Sequence, residues 1–222
     1  MYLTAQQIYD KLCDQDITSK HGQTIMTFMD ISVTINSHSA TGDLIETWLG
    51  QWMQENDIHY RVKGNSQEFP DFLLDEESNK QNLLEVKTFD WKRSPNFDLA
   101  NFDAYRRSLL SHAYRLDADY LIIGYTLIDG VLLIPKIWLK KIWEIAGSSG
   151  RYPLKCQVKQ NIIHNIRPIT WYSGNVTYPS FTTRLEFVQA LNDTIVLYKP
   201  DESEGWLEQV KTNYAEHTGQ AL

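Results

Sequence analysis

FPDFLL at residues 69–74 and LLEVKTF at residues 83–89 are the two stretches that decide the fold of this chain. Both are short apolar runs bounded by polar residues, which is typical of buried strands joined by a hairpin connection. Asp71, Glu85 and Lys87 lie inside these runs, although an unpaired buried charge is strongly unfavourable. Because side chains alternate along a strand, Glu85 and Lys87 point to one face, and antiparallel pairing would bring Asp71 to that face.

Two carboxylates and one ammonium on one face predict a site for a hard divalent cation such as Mg²⁺. Asp71 and Glu85 would supply anionic oxygens, and the backbone carbonyl of Val86 would supply a neutral one. Lys87 would hold and polarise the attacking water and neutralise charge that develops on a phosphate. The alternative is a surface hairpin with a solvated Glu85–Lys87 pair, but apolar residues flank the pair too densely for a solvated strand. The predicted chemistry is phosphodiester hydrolysis.

The spacing of these residues resembles the motif of the PD-(D/E)xK nuclease superfamily. Pro70-Asp71 is followed, after 13 residues, by Glu85-Val86-Lys87. The resemblance implies an α/β fold, with a central mixed β-sheet flanked by helices in a restriction-endonuclease-like core. It also implies a further metal-binding carboxylate on the helix before the motif, for which Glu46 is the candidate. A solvated glutamate on the helix surface is the alternative at that position.

The composition is that of one globular domain, with 42% hydrophobic and 22% charged residues in a chain of 222. Cys13 and Cys156 have neither metal-ligand spacing nor a disulfide framework, which favours a reducing compartment. No apolar run reaches transmembrane length and no signal peptide is evident, so we expect a cytoplasmic protein with no membrane partner. The expected domain is residues 1–222, with a catalytic core at about 41–146, a DNA-recognition hairpin at about 151–172 and a peripheral tail at about 200–222.

The net charge of −7 is unevenly distributed along the chain. Residues 88–170 contain 12 Lys and Arg against 7 Asp and Glu, a balance of +5, whereas the remainder contains 9 against 21, a balance of −12. A basic region on an acidic body still attracts phosphates, because local potential matters more than net charge. The pattern favours a double-stranded DNA partner, and random scatter of surface charge is the alternative.

Two segments carry the candidate DNA contacts. Residues 90–98 predict a loop that mixes an aromatic ring with cations, which suits phosphate and base contact, although a solvated loop would look similar. Residues 154–172 predict a β-hairpin narrow enough to enter a major groove, with an ordinary half-exposed hairpin as the alternative. The candidate DNA-binding residues in these segments and the helix between them are Lys92, Arg93, Asn96, Arg106, Lys155, Gln157, Lys159, Asn165 and Arg167.

Hydrophobic periodicity predicts the remaining elements. Helices are expected over residues 4–12, capped by Thr4; 44–54, capped by Thr41 or Asp43; 99–116; 135–145; and 183–191. Strands are expected over residues 25–35 (a strand or hairpin), 58–62, 120–127 and 131–134. The strand–helix–strand order from residue 83 to residue 127 favours parallel pairing of its two strands. Gln67 and Glu68 would face DNA or line the strand entrance, and residues 200–222 would form a peripheral helix or stay partly disordered.

Longer strings are similar to the NgoBV family of type II restriction endonucleases. They are LTAQQIYDKL at residues 3–12, RSPNFD at 93–98, YRLDADYL at 114–121 and NIRP at 165–168. The resemblance implies a homodimer that cuts both strands of the palindrome GGNNCC, and a twofold dimer suits a palindromic site. Guanine-rich half-sites call for Arg or Lys at guanine O6 and N7. The candidates for that contact are Arg93, Arg106, Lys155, Lys159 and Arg167.

Two other functions remain open from the sequence. A repair or junction-resolving nuclease of the same fold would read DNA shape instead of sequence. A non-catalytic DNA-binding protein with a relic metal site would bind without turnover. No Gly-rich phosphate loop of the ATPase type, nucleophilic Ser or Cys signature, or zinc cluster is present in the sequence.

Overall fold

A computed structural model describes residues 1–62 and 69–222 of the chain. The chain forms two compact units, one comprising Met1–Pro95 and Asp119–Lys140 and the other Asn96–Ala118 and Lys141–Leu222. Gln67 and Glu68, which the sequence suggests near DNA, lie outside the described residues.

Helices and strands are interspersed along the chain, which ends with two consecutive helices. The helices are α1 Ala5–Asp14, α2 His38–Glu55, α3 Phe102–Ser108, α4 Ile142–Ile145, α5 Arg184–Tyr198 and α6 Trp206–Thr218. The strands are β1 His21–Gln23, β2 Ile25–Phe28, β3 Ile31–Thr34, β4 Phe72–Leu73, β5 Leu83–Asp90, β6 Ala100–Asn101, β7 Asp119–Ile128, β8 Val131–Lys141, β9 Cys156–Lys159 and β10 Ile162–Ile166. Short 3₁₀ turns occur at Ile17–Ser19, Ala113–Asp117 and Pro200–Glu202.

A mixed five-stranded sheet forms the centre of the first unit, in the order β1-β8-β7-β5-β4. Strands β5 and β7 pair in parallel over seven residue pairs, from Leu84↔Asp119 to Asp90↔Tyr125, as the strand–helix–strand order predicts. The two-residue strand β4 pairs antiparallel with β5, which confirms the predicted hairpin. Strand β5 therefore carries Glu85 and Lys87, and it pairs with β4 on one side and β7 on the other.

Apolar side chains from α1 and α2 cover one face of this sheet. The buried cluster includes Ile8, Leu12, Ile45, Leu49, Leu84, Val86, Leu121 and Ile123. Leu84 and Val86 of β5 enter this cluster, so Glu85 and Lys87, which alternate with them, point to the opposite face. Burial of β5 on both faces matches the near-continuous apolar run in its sequence.

The predicted helix over residues 4–12 and hairpin over residues 25–35 are confirmed. The predicted strand over residues 58–62 is wrong, because this segment makes only isolated bridges with other described residues, from His59 to Tyr2 and from Arg61 to Leu73. Helix α1 begins after Thr4, whose side chain forms a capping box with Gln7. Helix α2 begins at His38 with Ser37 as its N-cap, so the prediction of a cap at Thr41 or Asp43 is wrong. Thr41 is inside the helix because its buried hydroxyl donates to the Ser37 carbonyl, 2.9 Å away.

The prediction of a helix from residue 135 to 145 is largely wrong. Strand β8 continues through Pro135 to Lys141, and only Ile142–Ile145 is helical. Pairing of β8 with the short strand β1 ends at Leu133, so no strand of the described residues pairs with that side of β8 at Pro135, where a missing N–H is tolerated. Tertiary pairing therefore overrides a pattern that also fits a helix.

The predicted helix over residues 99–116 is divided in the structure. Residues Ala100–Asn101 form β6, which pairs with β10, and the Asn101 side chain then caps α3 by accepting from the Ala104 N–H. Helix α3 ends at Ser108, and the chain continues to the 3₁₀ turn. Asn101 thus serves strand and helix at once, which local periodicity does not reveal.

The second unit contains the sheet β6-β10-β9 with α5 and α6. The β9–β10 hairpin is confirmed, with left-handed residues Gln160 and Asn161 at its turn. Helix α5 starts after the cap Thr183 as predicted but runs on to Tyr198. The C-terminal tail forms α6, and its buried face of Trp206, Val210 and Tyr214 shows that this region is part of the core.

We expect Ile123→Ala in the middle of β7 to lower the free energy of unfolding by about 2–5 kcal/mol, because the side chain is fully buried and its removal leaves a cavity. Ile128→Ala is the matched control, since this residue of the same strand is 47% exposed. The control should change stability by less than about 0.5 kcal/mol. Urea unfolding followed by fluorescence measures both, and equal losses would contradict the packing described for β7.

Candidate active site

The register of the β4–β5 hairpin determines the geometry of the candidate site. Phe72 pairs with Leu84 and Leu73 with Leu83, so the next position outward sets Asp71 opposite Glu85. Residues opposite each other in an antiparallel pair project to the same face, with Cβ atoms about 5 Å apart. The two predicted carboxylates therefore share one face of the sheet, as the sequence analysis requires.

The Asp71 carboxylate accepts a backbone hydrogen bond that a neighbouring strand would otherwise accept from β5. Strand β4 ends at Phe72 on the side of Asp71, which leaves the next backbone N–H of β5 without a strand acceptor. Asp71 Oδ2 accepts that hydrogen bond from the Val86 N–H at 2.7 Å. The carboxylate is thus held rigidly by the backbone of the strand that carries Glu85.

Lys87 and Glu85 form an ion pair on the same face. Lys87 Nζ lies 2.6 Å from Glu85 Oε1, and their side chains are 21% and 9% exposed. The second carboxylate oxygen, Glu85 Oε2, is buried and has no hydrogen-bond partner among the described residues. A buried carboxylate oxygen without a partner is energetically costly, so this atom offers an acceptor position to a ligand such as a cation.

Burial and mutual repulsion shift the ionisation of all the site's acids. Burial raises the pKa of Glu85 to about 7, with a further upward contribution from Asp71, against the opposing charge of Lys87. Burial also raises the pKa of Asp71, although the Val86 hydrogen bond and Lys87 oppose the shift. Burial favours a lower pKa for Lys87, but Glu85 and the other carboxylates outweigh it and raise the pKa. Lys87 therefore stays protonated as an ammonium, and its single positive charge does not balance the carboxyl groups of the site.

Helix α2 brings Glu46 to the same site. Burial, followed by the charges of Asp71 and Asp43, raises the pKa of Glu46, and Lys87 opposes the shift. The helix approaches β5 closely one turn earlier, where a Cβ on Gly42 would lie 3.1 Å from Thr88 Oγ1. A small residue at that position lets the helix carry its half-buried glutamate to the edge of the acidic cluster.

Two aromatic residues beside the carboxylates were not singled out from the sequence. Tyr120 on β7 is the register partner of Glu85, and its ring centroid lies 6.3 Å from that of Phe69. Tyr120 is fully buried and, as the register partner of Glu85 on a parallel strand, projects to the same face of the sheet. The available signal was the aromatic residue directly before Pro70 and the tyrosine at the start of a buried strand.

The donor set suits a divalent cation that keeps most of its water ligands. No cluster of three or more His, Cys, Asp or Glu with metal-ligand geometry occurs in residues 1–62 and 69–222. Asp71, Glu85 and Glu46 are three carboxyl groups around the one ammonium of Lys87, and Glu85 Oε2 is the buried oxygen without a hydrogen-bond partner among the described residues. One or two carboxylates, a carbonyl and water are the ligands typical of Mg²⁺, so the residues present fit such an ion.

The loop residues proposed from the sequence are open to solvent. The Arg93 side chain is 73% exposed and makes a long ion pair with Asp90, 3.4 Å away. Lys92 and Asn96 are also exposed. Their charges and amide are therefore available to a polyanion, in keeping with the predicted contact.

The proposed residues of the second unit differ in accessibility. On the β9–β10 hairpin Lys159 is exposed, and Asn165 Nδ2 donates across the strands to Gln157 Oε1 at 3.3 Å. Lys155 Nζ donates to the Pro168 carbonyl. Arg167 contacts the Asn96 carbonyl and pairs with Asp98 at 2.9 Å.

Arg106 is in a different environment from the other candidates. Its side chain is 3% exposed, and its guanidinium pairs with Asp103 and Glu202. Glu202 comes from the 3₁₀ turn before α6, so Arg106 ties that turn to α3. We therefore leave Arg106 out of the DNA surface proposed below.

No helix within the described residues has the length and apolar character needed to cross a membrane. A sequence model of the NgoBV restriction endonuclease family matches residues 2–222. The type II restriction enzyme NlaIV of Neisseria lactamica is 40% identical over 196 residues, which cover 87% of this chain and 81% of that protein. The type II restriction enzyme NgoBV of Neisseria gonorrhoeae is 36% identical over 161 residues, which cover 71% of this chain and 91% of that protein.

A solved structure of the NlaIV restriction endonuclease superposes with a TM-score of 0.94 at 35% identity, covering 100% of this chain and 92% of that one. This similarity confirms the predicted restriction-endonuclease-like fold with its central mixed sheet and flanking helices. The family match over almost the whole length agrees with the resemblance inferred from the four sequence strings. The chain belongs to the NgoBV restriction endonuclease family.

Proposed function

We propose that the protein is a type II restriction endonuclease that hydrolyses DNA phosphodiester bonds with Mg²⁺ at the site of Asp71, Glu85 and Lys87. The observation that carries the proposal is the buried, unpartnered Glu85 Oε2 opposite a carboxylate held by the Val86 N–H. A purely structural ion pair would leave no carboxylate oxygen unsatisfied at this depth. The proposal assigns Asp71, Glu85 and the Val86 carbonyl to the cation, with Glu46 as an outer carboxylate.

The residues of the site divide the chemical work. A divalent cation bound there would supply positive charge for the phosphate transition state and make the attacking water more acidic. Asp71 and Glu85 would orient that ion against the scissile phosphate. Because its carboxylate neighbours raise its pKa, Lys87 stays an ammonium at neutral pH. Its ammonium would therefore donate a hydrogen bond to a lone pair of the attacking water and neutralise charge on the phosphate. It would not act as the base.

The partner would be double-stranded DNA with the palindrome GGNNCC, bound by a homodimer that cuts both strands. Exposed cations and amides of Lys92, Arg93, Asn96 and Lys159 would contact phosphates or base edges. Four further residues would exchange their intramolecular contacts for contacts with DNA: Lys155, Gln157, Asn165 and Arg167. The free thiols of Cys13 and Cys156 suit a cytoplasmic location.

Asp71→Asn and Lys87→Ala should each lower the rate of plasmid cleavage about 10³-fold, because each removes charge that acts in the transition state. Binding of the uncleaved site in Ca²⁺ should persist, and circular dichroism should show a folded protein. Lys211→Ala is the control, since its ammonium pairs only with the surface carboxylate of Glu208 among described residues. Cleavage by either site variant at the rate of the control would remove these residues from the catalytic role.

Affinity for Mn²⁺, used as a probe of the Mg²⁺ site, should rise with pH up to about 7 and level off above it. The proton on Glu85 competes with the cation below its pKa of about 7, so affinity should fall up to about tenfold for each unit below that value. Titration calorimetry without DNA measures the profile. Glu208→Gln, a surface control, should keep it, while Glu85→Gln should abolish tight binding; a flat profile between pH 5.5 and about 8 would contradict the role of Glu85.

Digestion of a sequenced plasmid in Mg²⁺ should give discrete double-stranded fragments whose ends all map to GGNNCC. The reason is that base contacts in the major groove discriminate the base pairs of a site, whereas recognition of branched or mismatched DNA selects no particular sequence. A second plasmid in which every such site is mutated is the control and should remain uncut. Nicking confined to branched or mismatched substrates would support the repair-nuclease alternative, and binding without turnover would support the non-catalytic one.

A further inference from the structure

The β2–β3 hairpin is a separate two-stranded sheet within the first unit. Its strands pair from Ile25↔Thr34 to Phe28↔Ile31, and all eight strand residues are exposed. Left-handed Met29 and Asp30 form the two-residue turn at its tip. An isolated two-stranded hairpin is marginally stable in water, so one that is uncovered on both faces is expected to pack against another surface.

The two faces of this hairpin differ sharply in polarity. Opposite residues share a face, so Met26, Phe28, Ile31 and Val33 form one face that is entirely apolar. They are 53%, 69%, 68% and 43% exposed. The other face carries Thr27 and Ser32, whose hydroxyls lie 2.8 Å apart, together with Thr34 and Ile25. Such alternation is the signature of a hairpin with one buried side.

The hairpin contacts the rest of its unit at its base, through Thr34 on the polar face. Thr34 contacts Gly130 in the turn between β7 and β8, where the left-handed glycine has no room for a Cβ. At the base, the Thr24 N–H donates to the Gly130 carbonyl and the Ile35 N–H to the Thr24 carbonyl. The hairpin is thus anchored at its base, and its apolar face points away from the anchor.

An apolar groove adjoins the base of the hairpin. It has a volume of about 570 Å³, and apolar side chains of β2, α2 and β8 line most of it, while β1 contributes the polar residues His21 and Gln23. Leu44 and Trp48 on α2 form part of its wall and are 43% and 41% exposed. Met26 belongs both to the apolar face of the hairpin and to the lining of the groove, so the two form one continuous apolar surface.

The size of this surface is that of a dimer interface. With the tip residue Met29, the exposed parts of these seven side chains amount to roughly 900 Å², more than the largest apolar patch of a typical monomer. A standard interface buries about 800 Å² on each partner. DNA is a poor occupant, because phosphate contacts need cations and amides and the apolar face carries none.

We propose that this surface, the apolar face of the β2–β3 hairpin with the groove beside α2, binds the same surface of a second copy of the chain. A protruding apolar hairpin and an apolar groove on one molecule are self-complementary, as a twofold interface requires. The charges agree, since Asp30 at the hairpin tip would meet Lys20 or His21 at the rim of the partner's groove. The choice of a second copy as occupant rests on the proposed homodimer, and it deepens that proposal by naming the residues.

Sedimentation velocity of the full chain, without DNA or metal, tests the surface. The wild type should sediment as a particle of twice the 25.9 kDa chain mass. Phe28→Lys and Ile31→Lys should each weaken the dimer at least about 30-fold, because each sets an ammonium in the centre of the apolar contact. Thr27→Lys, on the opposite face of the same strand, is the matched control and should leave the dimer intact. Thermal unfolding of all three variants confirms that each is folded.

Each outcome decides the assignment. Monomeric Phe28→Lys and Ile31→Lys with a dimeric Thr27→Lys support it. A monomeric wild type, a dimer unaffected by both apolar-face variants, or a dimer lost equally in Thr27→Lys overturns it. Because no DNA is present, these results are independent of catalysis. A dimer that forms through another surface would leave cleavage and Mn²⁺ binding unchanged, whereas failure of the proposed catalysis would abolish those and leave the sedimentation result standing.

Discussion

The antiparallel step that sets Asp71 opposite Glu85 is the constraint on which the rest of the site depends. Strand β4 is only two residues long, so the Asp71 carboxylate occupies the position of a strand acceptor and binds the Val86 N–H. The same step forces two acids together at a depth where each resists ionisation. Lys87 compensates part of that charge, and the remainder calls for a cation.

Helix α2 connects this site to the apolar surface at the hairpin. Glu46 faces the acidic cluster, while Leu44 and Trp48 on the same helix line the groove proposed to bind a second copy. Gly42 lets the helix lie close to β5, so its position relative to the sheet is fixed by packing. A rigid helix shared by interface and site would give two catalytic centres in a dimer one defined separation, as cleavage of both strands of a palindrome requires.

The sequence predicted those parts of the fold that are encoded locally. Alternation in β5 and the polar connection after Leu74 were enough to infer the hairpin and the shared face of Glu85 and Lys87. The extent of β8 was not predictable, because Pro135 usually ends a strand and is tolerated here only through the shortness of β1. The break at Asn101 likewise depends on β10, more than 60 residues away. Neither the ion network that buries Arg106 nor the unpartnered Glu85 Oε2 can be read from spacing, since both depend on three-dimensional contacts.

The most direct test of the central claim is the anomalous scattering of Mn²⁺ in crystals of the protein soaked with that ion. The account predicts one strong peak within coordination distance, about 2.2 Å, of both an Asp71 carboxylate oxygen and Glu85 Oε2. A crystal in which Mn²⁺ occupies only surface carboxylates, with Glu85 still paired to Lys87 alone, would contradict it.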